Sequence, residues 1–407
     1  MTVGRCVLIS GAGPVGSVTA LRLLQLGVPV ILFDELLETP VVHRAATTHS
    51  STLDLLSKLG IAEEIISQGL IARYFQYRHR STNEVFAEFD FGRLSDESNH
   101  PYAIQLEQHK TVKIAIDAAR KYSNFSFYRG CKVTEVINSN NSVEVRTETV
   151  DGHIERWKGE YLIGCDGGRS FVRKSQEIEF PGFTWEEKFI IVASFFDYEA
   201  AAGYCNRNYL ADPELWCSVF KIPGPDGDGM WRNLFPVLTD DAENIVTSDE
   251  YLYRLINKCF PFADKLEVVH RNLYGVHQRV AKAFFKGRVI LAGDAAHVNN
   301  PLGGMGMNSG IHDGLNIAQK IGVLWDSKKL EPSEVLGLYD RQRCITALKY
   351  VQAQSIENKK TLQASNKENA KKKYLNLQNT SENPEKHKSF LMNASLINML
   401  RDAESIR

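Results

Sequence analysis

The chain has 407 residues, of which 43% are hydrophobic and 24% are charged, and its formal net charge is −1. This composition is typical of a globular protein, and the near-neutral charge gives no reason to expect nucleic acid or an anionic membrane as a partner. No apolar run approaches the roughly 20 residues of a membrane helix, and the N-terminus lacks the apolar segment of a signal peptide. The 7 cysteines stand singly, without metal-ligand spacing. We therefore expect a cytoplasmic protein with reduced thiols and no bound metal.

The chain opens with a predicted βαβ unit. Residues 3–10 form a short apolar run, which predicts a buried parallel strand. Residues 14–26 have helical periodicity, and residues 28–33 predict a second strand. The sequence GAGPVG at residues 11–16 lies between strand and helix, where a dinucleotide-binding turn requires its glycines.

Each glycine of this fingerprint has a separate expected role. Gly11 permits the tight turn, Gly13 lets a pyrophosphate approach the backbone, and Gly16 allows the helix to pack closely on the strand. The helix begins with Pro14 and Val15, and its N-terminus offers free N–H groups and the positive end of a dipole to phosphate. The sequence therefore predicts a dinucleotide site at this turn.

Two acids end the second predicted strand. Asp34 stands where an acid is expected to bind a ribose diol, and Glu35 follows it. On the fingerprint alone, an NAD-dependent dehydrogenase would be the usual interpretation. The motifs further along the chain decide which dinucleotide is expected.

The middle of the chain predicts a second, mainly antiparallel sheet. Residues 74–79 and 84–89 alternate like paired strands, and residues 177–276 are rich in aromatic residues and β-branched alternation. A helix is predicted over residues 308–325. Residues 358–388 are dominated by Lys, Asn, Glu and Gln, which predicts either a solvated helix or partial disorder. Apolar residues return near the C-terminus, so we expect the tail to dock on the body.

Three further motifs carry a resemblance to a known family. CDGGRS at residues 165–170 follows one apolar run, GRVILAGDAAH at 287–297 contains another, and PLGGMGMN follows at 301–308. With these motifs in this order, the chain resembles the flavoprotein aromatic hydroxylases of the p-hydroxybenzoate hydroxylase type. The resemblance extends over about residues 3–348.

This resemblance implies that FAD binds in an extended form. The first motif would hold the ADP half, and Asp34 matches the acid that binds the adenosine ribose. Asp294 matches the aspartate that hydrogen-bonds the ribityl chain. Asp166 and Gly167 match a pair that the family associates with both FAD and NAD(P)H.

The resemblance also points to Arg44 and Gln105, which stand where the family contacts the pyrophosphate and the ribityl chain. A surface salt bridge for Arg44 and a polar strand end for Gln105 are the alternative interpretations. The predicted cofactor-binding residues lie at strand ends, glycine turns or helix starts, and they are Gly11, Gly13, Pro14, Val15, Gly16, Asp34, Glu35, Arg44, Gln105, Asp166, Gly167, Gly293, Asp294, Pro301, Gly304, Gly306, Met307 and Asn308.

The glycine-rich run at residues 303–306 suits a flat ring, because a backbone without Cβ atoms can approach it closely. A helix beginning near Met307 would point its N-terminus at the flavin, whose reduced form carries negative charge. Such a helix end stabilises an anion by about 1 kcal/mol in a partly buried site. Pro301 resembles the family's active-site proline, whose carbonyl borders the substrate, although a simple turn residue is the alternative.

The activity implied is that of a monooxygenase. NAD(P)H would reduce the flavin, O2 would add at its C4a position, and the hydroperoxide would hydroxylate a small phenolic or N-heteroaromatic ring. Water must be excluded, and ionisation of a phenol needs a base or a proton relay. His49, Tyr204 and Tyr209 are catalytic candidates beside Pro301, with core packing as the alternative for each. Met305 departs from the family, since many relatives carry Gln there.

Other functions remain possible on the same scaffold. A non-oxygenating FAD-dependent oxidoreductase is the main alternative, and a flavin-binding regulatory protein without turnover is another. Halogenases of this lineage carry a Trp-x-Trp-x-Ile-Pro motif, whereas WRNLFP at residues 231–236 lacks the second Trp and the Ile. A halogenase is therefore disfavoured.

The predicted fold is α/β, with a Rossmann-like FAD-binding domain interleaved with a mainly antiparallel β-sheet domain for the substrate. The predicted domains share a discontinuous layout: residues 1–73, 101–176 and 277–330 bind FAD, residues 74–100 and 177–276 bind the substrate, and residues 331–407 form a helical C-terminal region. Because no second glycine fingerprint occurs, NAD(P)H is expected to bind transiently. We expect a monomer or a homodimer.

Overall fold

The structure is a computed structural model that describes residues 5–41, 45–237, 241–264, 266–327, 329–364 and 366–407. Arg44, one of the predicted cofactor-binding residues, lies outside the described residues. Within them, strands and helices alternate through the first two thirds of the chain, and helices alone follow. None of the helices formed by the described residues is long and apolar enough to cross a membrane.

Most strands are short, and in chain order they are β1 (Val7–Ser10), β2 (Val30–Asp34), β3 (Thr47–Thr48), β4 (Leu70–Ala72), β5 (Tyr74–His79), β6 (Val85–Asp90), β7 (Ala103–Gln105), β8 (Phe125–Arg129), β9 (Cys131–Asn138), β10 (Val143–Thr149), β11 (Ile154–Gly159), β12 (Tyr161–Gly164), β13 (Gly182–Ser194), β14 (Arg207–Ala211), β15 (Cys217–Ile222), β16 (Met230–Val237), β17 (His270–Val280), β18 (Phe285–Lys286), β19 (Val289–Leu291) and β20 (His297–Val298).

The helices in chain order are α1 (Pro14–Gln25), α2 (Ser50–Lys58), α3 (Ala62–Gln68), α4 (Gln108–Ala119), α5 (Phe171–Ser175), α6 (Tyr198–Ala202), α7 (Glu243–Val246), α8 (Asp249–Cys259), α9 (Met305–Asp326), α10 (Pro332–Thr346), α11 (Ala353–Leu362), α12 (Lys367–Glu382), α13 (Pro384–Ala394) and α14 (Ile397–Ser405). A π-helical turn at Ala347–Gln352 joins α10 to α11.

The first sheet contains six strands in the order β18-β19-β12-β1-β2-β8. All its neighbours pair in parallel except β18, which is antiparallel at one edge. Every residue of β1 is buried, as expected for a parallel strand covered on both faces. The predicted βαβ unit is therefore confirmed, with its described first strand running from Val7 to Ser10.

Helix α9 packs along α1 through small residues. A Cβ atom at Gly310 would overlap the side chain of Val15, and one at Gly314 would overlap that of Thr19, so the two helices can approach closely only with glycine there. The helix begins at Met305, slightly earlier than the sequence predicts. The cause is Gly304, which adopts a left-handed conformation with φ +70° and ends the preceding turn.

The largest sheet has eight strands in the order β20-β17-β13-β16-β15-β14-β5-β6. Its pairs are antiparallel except β14 with β5, which confirms a mainly antiparallel sheet. Successive residues point to opposite faces, so Ile191 packs in one apolar cluster and Ile190 and Val192 pack in another. Helix α8, which the sequence analysis missed, covers the second of these faces with Leu252 and Ile256.

The exact domain boundaries stay a prediction. Strand β17 runs across the proposed boundary at residue 276, and β20, from the proposed FAD-binding part, pairs with the same large sheet. The C-terminal region is helical, and the described residues between 358 and 388 lie mostly in the solvated parts of α11, α12 and α13. Leu391 and Met399 are fully buried, so the tail docks on the body as expected.

Candidate active site

The glycine turn between β1 and α1 has the geometry that its sequence predicts. Gly11 has φ +99°, and a Cβ atom there would overlap the carbonyl oxygen of Cys165. A Cβ atom at Gly16 would overlap the carbonyl oxygen of Gly11. At Gly13, by contrast, a Cβ atom would meet nothing within 4 Å. Backbone atoms thus fill the space beside Gly11 and Gly16, whereas the space beside Gly13 is open.

The two acids after β2 differ in their surroundings. Asp34 accepts hydrogen bonds from the backbone N–H of Ala12, at 2.7 Å, and of Leu36, at 2.9 Å. It therefore braces the glycine turn from the second strand. Glu35 is exposed, and its carboxylate lies 3.6 Å from the amine of Lys132.

A cavity of about 610 Å³ lies between the parallel sheet and the large antiparallel sheet. Its walls come from separate parts of the sequence: the glycine turn, the CDGG segment, the loop before α9 and one face of the large sheet. The predicted residues that line it are Gly13, Pro14, Val15, Gly167, Asp294, Pro301, Gly304, Gly306 and Met307. Four motifs separated along the chain thus meet around one space.

Asp166 lies behind this wall. It accepts hydrogen bonds from the hydroxyl of Ser170, at 2.5 Å, and from the backbone N–H of Val172, at 2.9 Å. Burial raises the pKa of its carboxyl despite these hydrogen bonds. Arg173 donates to the carbonyls of Ala295, at 2.8 Å, and Gly168, at 3.0 Å. The CDGG segment and the loop around Asp294 are therefore fastened together.

Asp294, which the family resemblance assigns to the ribityl chain, is not buried in the fold but exposed at the cavity wall. The buried acid of this region is Asp313 on α9. Its carboxylate accepts from the backbone N–H of Gly293 at 3.0 Å, from Arg343 Nε at 2.6 Å and from His297 Nε2 at 2.8 Å. Burial opposes ionisation of Asp313, but these cationic and hydrogen-bonding partners outweigh it and lower its pKa to about 2.

The loop from Pro301 to Asn308 is tied to the segment before α2. The buried amide of Asn308 accepts from the backbone N–H of His49 at 2.9 Å and donates to the carbonyl of Thr47 at 2.8 Å. The Nε2 atom of His49 lies 2.8 Å from the carbonyl oxygen of Gly303. Asn308 and His49 therefore brace the cavity wall from behind.

His49 is fully buried and stays neutral near neutral pH. Burial, together with the positive charge of Arg207, lowers the pKa of its imidazole to about 3. The hydrogen bond to the carbonyl of Gly303 opposes this shift only in part. Gln105 is also buried, and its side-chain oxygen accepts from the hydroxyl of Thr47 at 3.0 Å.

The two candidate tyrosines lie on opposite faces of the large sheet. Tyr209 lies on the side of the sheet that faces the cavity, but Phe220 lies between it and the cavity. The rings of Tyr209 and Phe220 pack edge to face, with their centroids 5.4 Å apart. Tyr204 donates to the side chain of Asn83 at 2.5 Å and packs against Tyr198 on the far face. The structure does not bring Tyr204 to the cavity.

The sequence analysis assigned residues 177–276 to the substrate but named none of the large-sheet residues that form the cavity wall. Most side chains of this wall are alternate residues of β13 and β15–β17, and the intervening Asn233, Leu273, Gly275 and His277 also line the cavity. The alternate residues are Ile191, Ser218, Phe220, Arg232, Leu234, Asn272, Tyr274 and Val276. Burial lowers the pKa of the Arg232 guanidinium to about 10. Phe220 pairs with Arg232, and Ser218 with Leu234, across two antiparallel strands. The alternation was visible in the sequence, but the register that aligns these residues was not.

These features define a nucleotide-binding enzyme whose cofactor cleft is covered by a second sheet. The chain matches the family described as FAD binding domain over residues 5–354. It is 32% identical over 317 residues to the para-nitrophenol 4-monooxygenase of Pseudomonas sp. (strain WBC-3), covering 77% of each chain. The chain therefore belongs to the FAD-dependent aromatic hydroxylases.

Other relatives agree with this family. The chain is 29% identical over 366 residues to 6-hydroxy-3-succinoylpyridine 3-monooxygenase HspB of Pseudomonas putida (strain DSM 28022 / S16), covering 89% of this chain and 90% of the relative. The crystal structure of p-nitrophenol 4-monooxygenase PnpA from Pseudomonas putida DLL-E4 matches with a TM-score of 0.91 at 27% identity, covering 98% of this chain and 99% of that one.

The residues at the site fit FAD. Gly13 leaves room for a pyrophosphate at the N-terminus of α1, and α9 starts at the cavity without a side-chain cap on its first N–H groups. The buried Nε2 atom of Gln105 has no hydrogen-bond partner among the described residues. A long cleft with free donors at both helix starts suits an extended dinucleotide.

Proposed function

We propose that this protein hydroxylates a small phenolic or N-heteroaromatic compound, with FAD as bound cofactor and with NAD(P)H and O2 as co-substrates. The observation that carries the proposal is the single cavity in which the nucleotide motifs face an apolar and aromatic wall of the large sheet. A cofactor held by the motifs would have one side available to a flat ligand. The family of the chain supports the same chemistry.

In this proposal each motif holds one part of FAD. The turn with Gly11, Gly13 and Gly16 receives the pyrophosphate, and Asp34 binds the adenosine ribose. Asp294, exposed at the cavity wall, binds the ribityl chain. When bound there, FAD would supply the redox chemistry between NAD(P)H and O2.

The start of α9 would stabilise negative charge on the reduced ring. Gly304 caps the helix in a left-handed conformation, and no side chain occupies its free N–H groups. A helix of 22 residues has its full dipole at that end. Gly306 adds a flat stretch of backbone in the same wall. Pro301, in the loop just before, would border the substrate.

Among the catalytic candidates, we propose that His49 supports the glycine loop and that Tyr209 supports the large-sheet wall of the cavity. We propose no role for Tyr204. His49 braces the loop through Gly303, and its low pKa means that it does not act as a strong base. Tyr209 lies one layer behind the wall residue Phe220. The apolar residues Ile191 and Leu234 would help exclude water from the reacting atoms.

The substrate class is proposed from the cavity and from the relatives. The wall mixes aromatic and aliphatic side chains with a few polar groups, as in sites for flat, weakly polar ligands. One relative is named for para-nitrophenol and another for a hydroxypyridine. Phenols, hydroxybenzoates and hydroxypyridines are therefore the compounds to screen.

The test starts from the purified protein. Acid release followed by chromatography should give FAD and not FMN. NADH or NADPH oxidation should then be stimulated by one of the screened aromatics, and 18O2 should label the product. NAD(P)H oxidation without incorporation of oxygen into any aromatic would favour a non-oxygenating oxidoreductase, and absence of turnover would favour a flavin-binding protein.

A further inference from the structure

Arg207, at the start of β14, is a buried cation that has no anionic partner among the described residues. Only 3% of its surface is exposed, and its Nε and Nη1 atoms have no hydrogen-bond partner within the part of the chain that the structure describes. Its Nη2 atom lies 3.4 Å from the hydroxyl of Tyr209, which is a long contact. In the described parts of the chain, no carboxylate forms an ion pair with it. Burying a charge in this way is costly unless a partner compensates for the lost water.

Three aromatic rings surround the guanidinium. Its central carbon lies 5.4 Å from the ring centre of Phe75, 5.9 Å from that of Phe91 and 5.6 Å from that of Phe220. Ring faces attract a cation, but they offer no hydrogen-bond acceptor in the plane of the guanidinium. The in-plane donors of Arg207 therefore remain unsatisfied, in a setting that favours an anion or an oxygen acceptor.

Arg207 lies directly behind the cavity wall. It pairs across the strands with Phe220, which lines the cavity, and Phe220 pairs in turn with Arg232. On the other side, its charge contributes to the low pKa of His49. His49 contacts the carbonyl of Gly303, beside the cavity residue Gly304. Arg207 is therefore enclosed between the sheet wall and the glycine loop.

His49 adds an unsatisfied group of the opposite type. A carbonyl oxygen can only accept, so the Nε2 atom of His49 must carry the hydrogen in its contact with Gly303. In the neutral ring this leaves Nδ1 as an acceptor, and Nδ1 is buried with no partner from any described residue. A phenolic hydroxyl is one group that can serve both, because it donates one hydrogen bond and accepts another.

We propose that Arg207 binds the hydroxyl oxygen of the phenolic substrate and stabilises it in the ionised form, with Nδ1 of His49 accepting from the hydroxyl before it ionises. On ionisation the O–H bond breaks, the electron pair stays on the oxygen beside Arg207, and the proton passes to solvent. The unpartnered nitrogens are covered in this structure, so the ring of Phe220 must turn aside as the substrate enters. This inference rests on the proposed hydroxylation of a phenol.

The groups that face Arg207 favour an anion there. They are His49 before α2, Tyr77 on β5, Tyr209 on its own strand and Cys205 just before that strand, whose thiol pKa is raised by burial. Burial raises the pKa of Tyr77, and His49 stays neutral, so neither of them supplies a competing negative charge. An ionised phenol reacts more readily with an electrophilic oxygen than a neutral phenol does, and the proposed hydroxylation needs this reactivity.

The test uses the FAD-loaded protein without NAD(P)H, and 4-nitrophenol as the probe, because its ionised form absorbs visible light. Titration of the bound probe should show a pKa below that of the free compound in the wild type. Arg207→Met should raise the pKa of the bound probe by about one unit or more and weaken its binding about tenfold or more. Arg207→Lys, which keeps the charge, should lie between the two. Binding of 4-nitroanisole, which has no ionisable hydroxyl, should be unchanged in all three proteins.

Thermal unfolding separates this role from a structural one. Arg207→Met removes a buried charge that has no partner, so its Tm should equal or exceed that of the wild type. A lower Tm together with an unchanged pKa of the bound probe would show that Arg207 only packs against the rings, and would overturn the inference. If the FAD-loaded wild type binds none of the screened phenols, hydroxybenzoates and hydroxypyridines, the proposed function itself fails, and this role fails with it. If it binds hydroxypyridines but no phenol, only the role of Arg207 fails.

Discussion

The two sheets that enclose the cavity build their shares of the site in different ways. The parallel sheet positions residues that are close together in sequence, such as Gly11, Gly13 and Gly16 after β1, and these act mainly through the backbone. The antiparallel sheet contributes single side chains from different strands, such as Phe220 and Arg232, which meet because their strands pair in a particular register. Local sequence therefore specifies the first half of the site, and tertiary pairing specifies the second.

The largest effect is expected from Asp313, which supports the cofactor half of the site from within. Asp313→Ala leaves Arg343 buried without its carboxylate and removes the acceptor of the Gly293 N–H. Breaking such a buried pair costs about 3–5 kcal/mol of stability. Urea unfolding measures the loss.

Two controls accompany this variant. Asp326→Ala removes an exposed acid from the same helix and should change the unfolding free energy little. The double variant Asp313→Leu with Arg343→Met removes both charges and should recover much of the loss. If Asp313→Ala unfolds at the wild-type urea concentration, the charge network does not support this half of the molecule.

The same residue predicts a pH dependence. The pKa of Asp313 in the folded protein is about 2, below the value of about 4 for an unfolded chain. A depressed pKa gives stability that is present above the unfolded value and is lost as pH falls toward the folded value. The wild type should therefore lose stability between about pH 4 and pH 2, and Asp313→Asn should show a shallower decline over that range. Equal slopes would argue against the ionised state of Asp313.

Gly306→Val is expected to damage the reaction more than the fold. Gly306 lines the cavity and does not have a left-handed backbone, so valine can be placed there without backbone strain. Its Cβ atom would lie 3.2 Å from the side-chain oxygen of Asn299 and would add bulk at the proposed flavin wall. A displacement of about 1 Å at a reacting centre can lower the rate by roughly 100-fold. The amount of H2O2 formed per NAD(P)H should rise as product falls.

Gly304→Val is a less clean test, because φ +70° strains valine whatever the available space. The matched control for Gly306→Val is Gly337→Val on α10, which lies away from the cavity and adds a side chain in ordinary contact with Arg341. If Gly306→Val has normal FAD content and couples NAD(P)H oxidation to product as well as the wild type, the glycine loop does not contact the flavin.

A smaller effect separates the two acids proposed to contact FAD. Asp294→Ala should lower FAD affinity about tenfold through loss of a charge-assisted hydrogen bond. The stability of its FAD-free form should stay unchanged, because Asp294 is exposed at the wall. Asp34→Ala should lower both quantities, since Asp34 also accepts from Ala12 and Leu36. Flavin fluorescence titration and unfolding of the FAD-free proteins measure the two quantities, and identical profiles would contradict the assignment.

What the sequence could predict follows from the same contrast between the sheets. Short-range sequence patterns predict the βαβ unit and the antiparallel second sheet. They also locate the motif loops at residues 11–16, 165–170, 287–297 and 301–308. The pairing of Arg343 with Asp313 could not be predicted, because the residues come from two helices that meet only in the fold. The same holds for Tyr209, whose position behind the cavity wall depends on how β14 pairs with its neighbours, and for Tyr204, which lies before that strand and packs against Tyr198. Helix α8 was missed because its apolar residues were attributed to the surrounding strands.

The smallest predicted effect concerns the helical tail, which joins the two halves of the site from outside. Asn358 on α11 donates to the carbonyl of Leu302 at 3.1 Å, next to the proline that is proposed to border the substrate. From the same helix, Ser355 accepts from the amide of Asn300 through its carbonyl at 2.9 Å. Both contacts hold the loop from a part of the chain that lines no described wall of the cavity.

Loss of one such hydrogen bond in Asn358→Ala should cost about 1 kcal/mol locally. That is enough to raise the fraction of loosened loop several-fold without unfolding the protein. FAD content and Tm should stay near wild type, while H2O2 formation per NAD(P)H should rise modestly, less than in the glycine variant. Gln378→Ala removes an exposed amide from the neighbouring α12 and should leave coupling unchanged. If both variants couple NAD(P)H oxidation to product as well as the wild type, α11 supports the fold but does not set the position of the loop. The two sheets alone would then determine the geometry of the reaction.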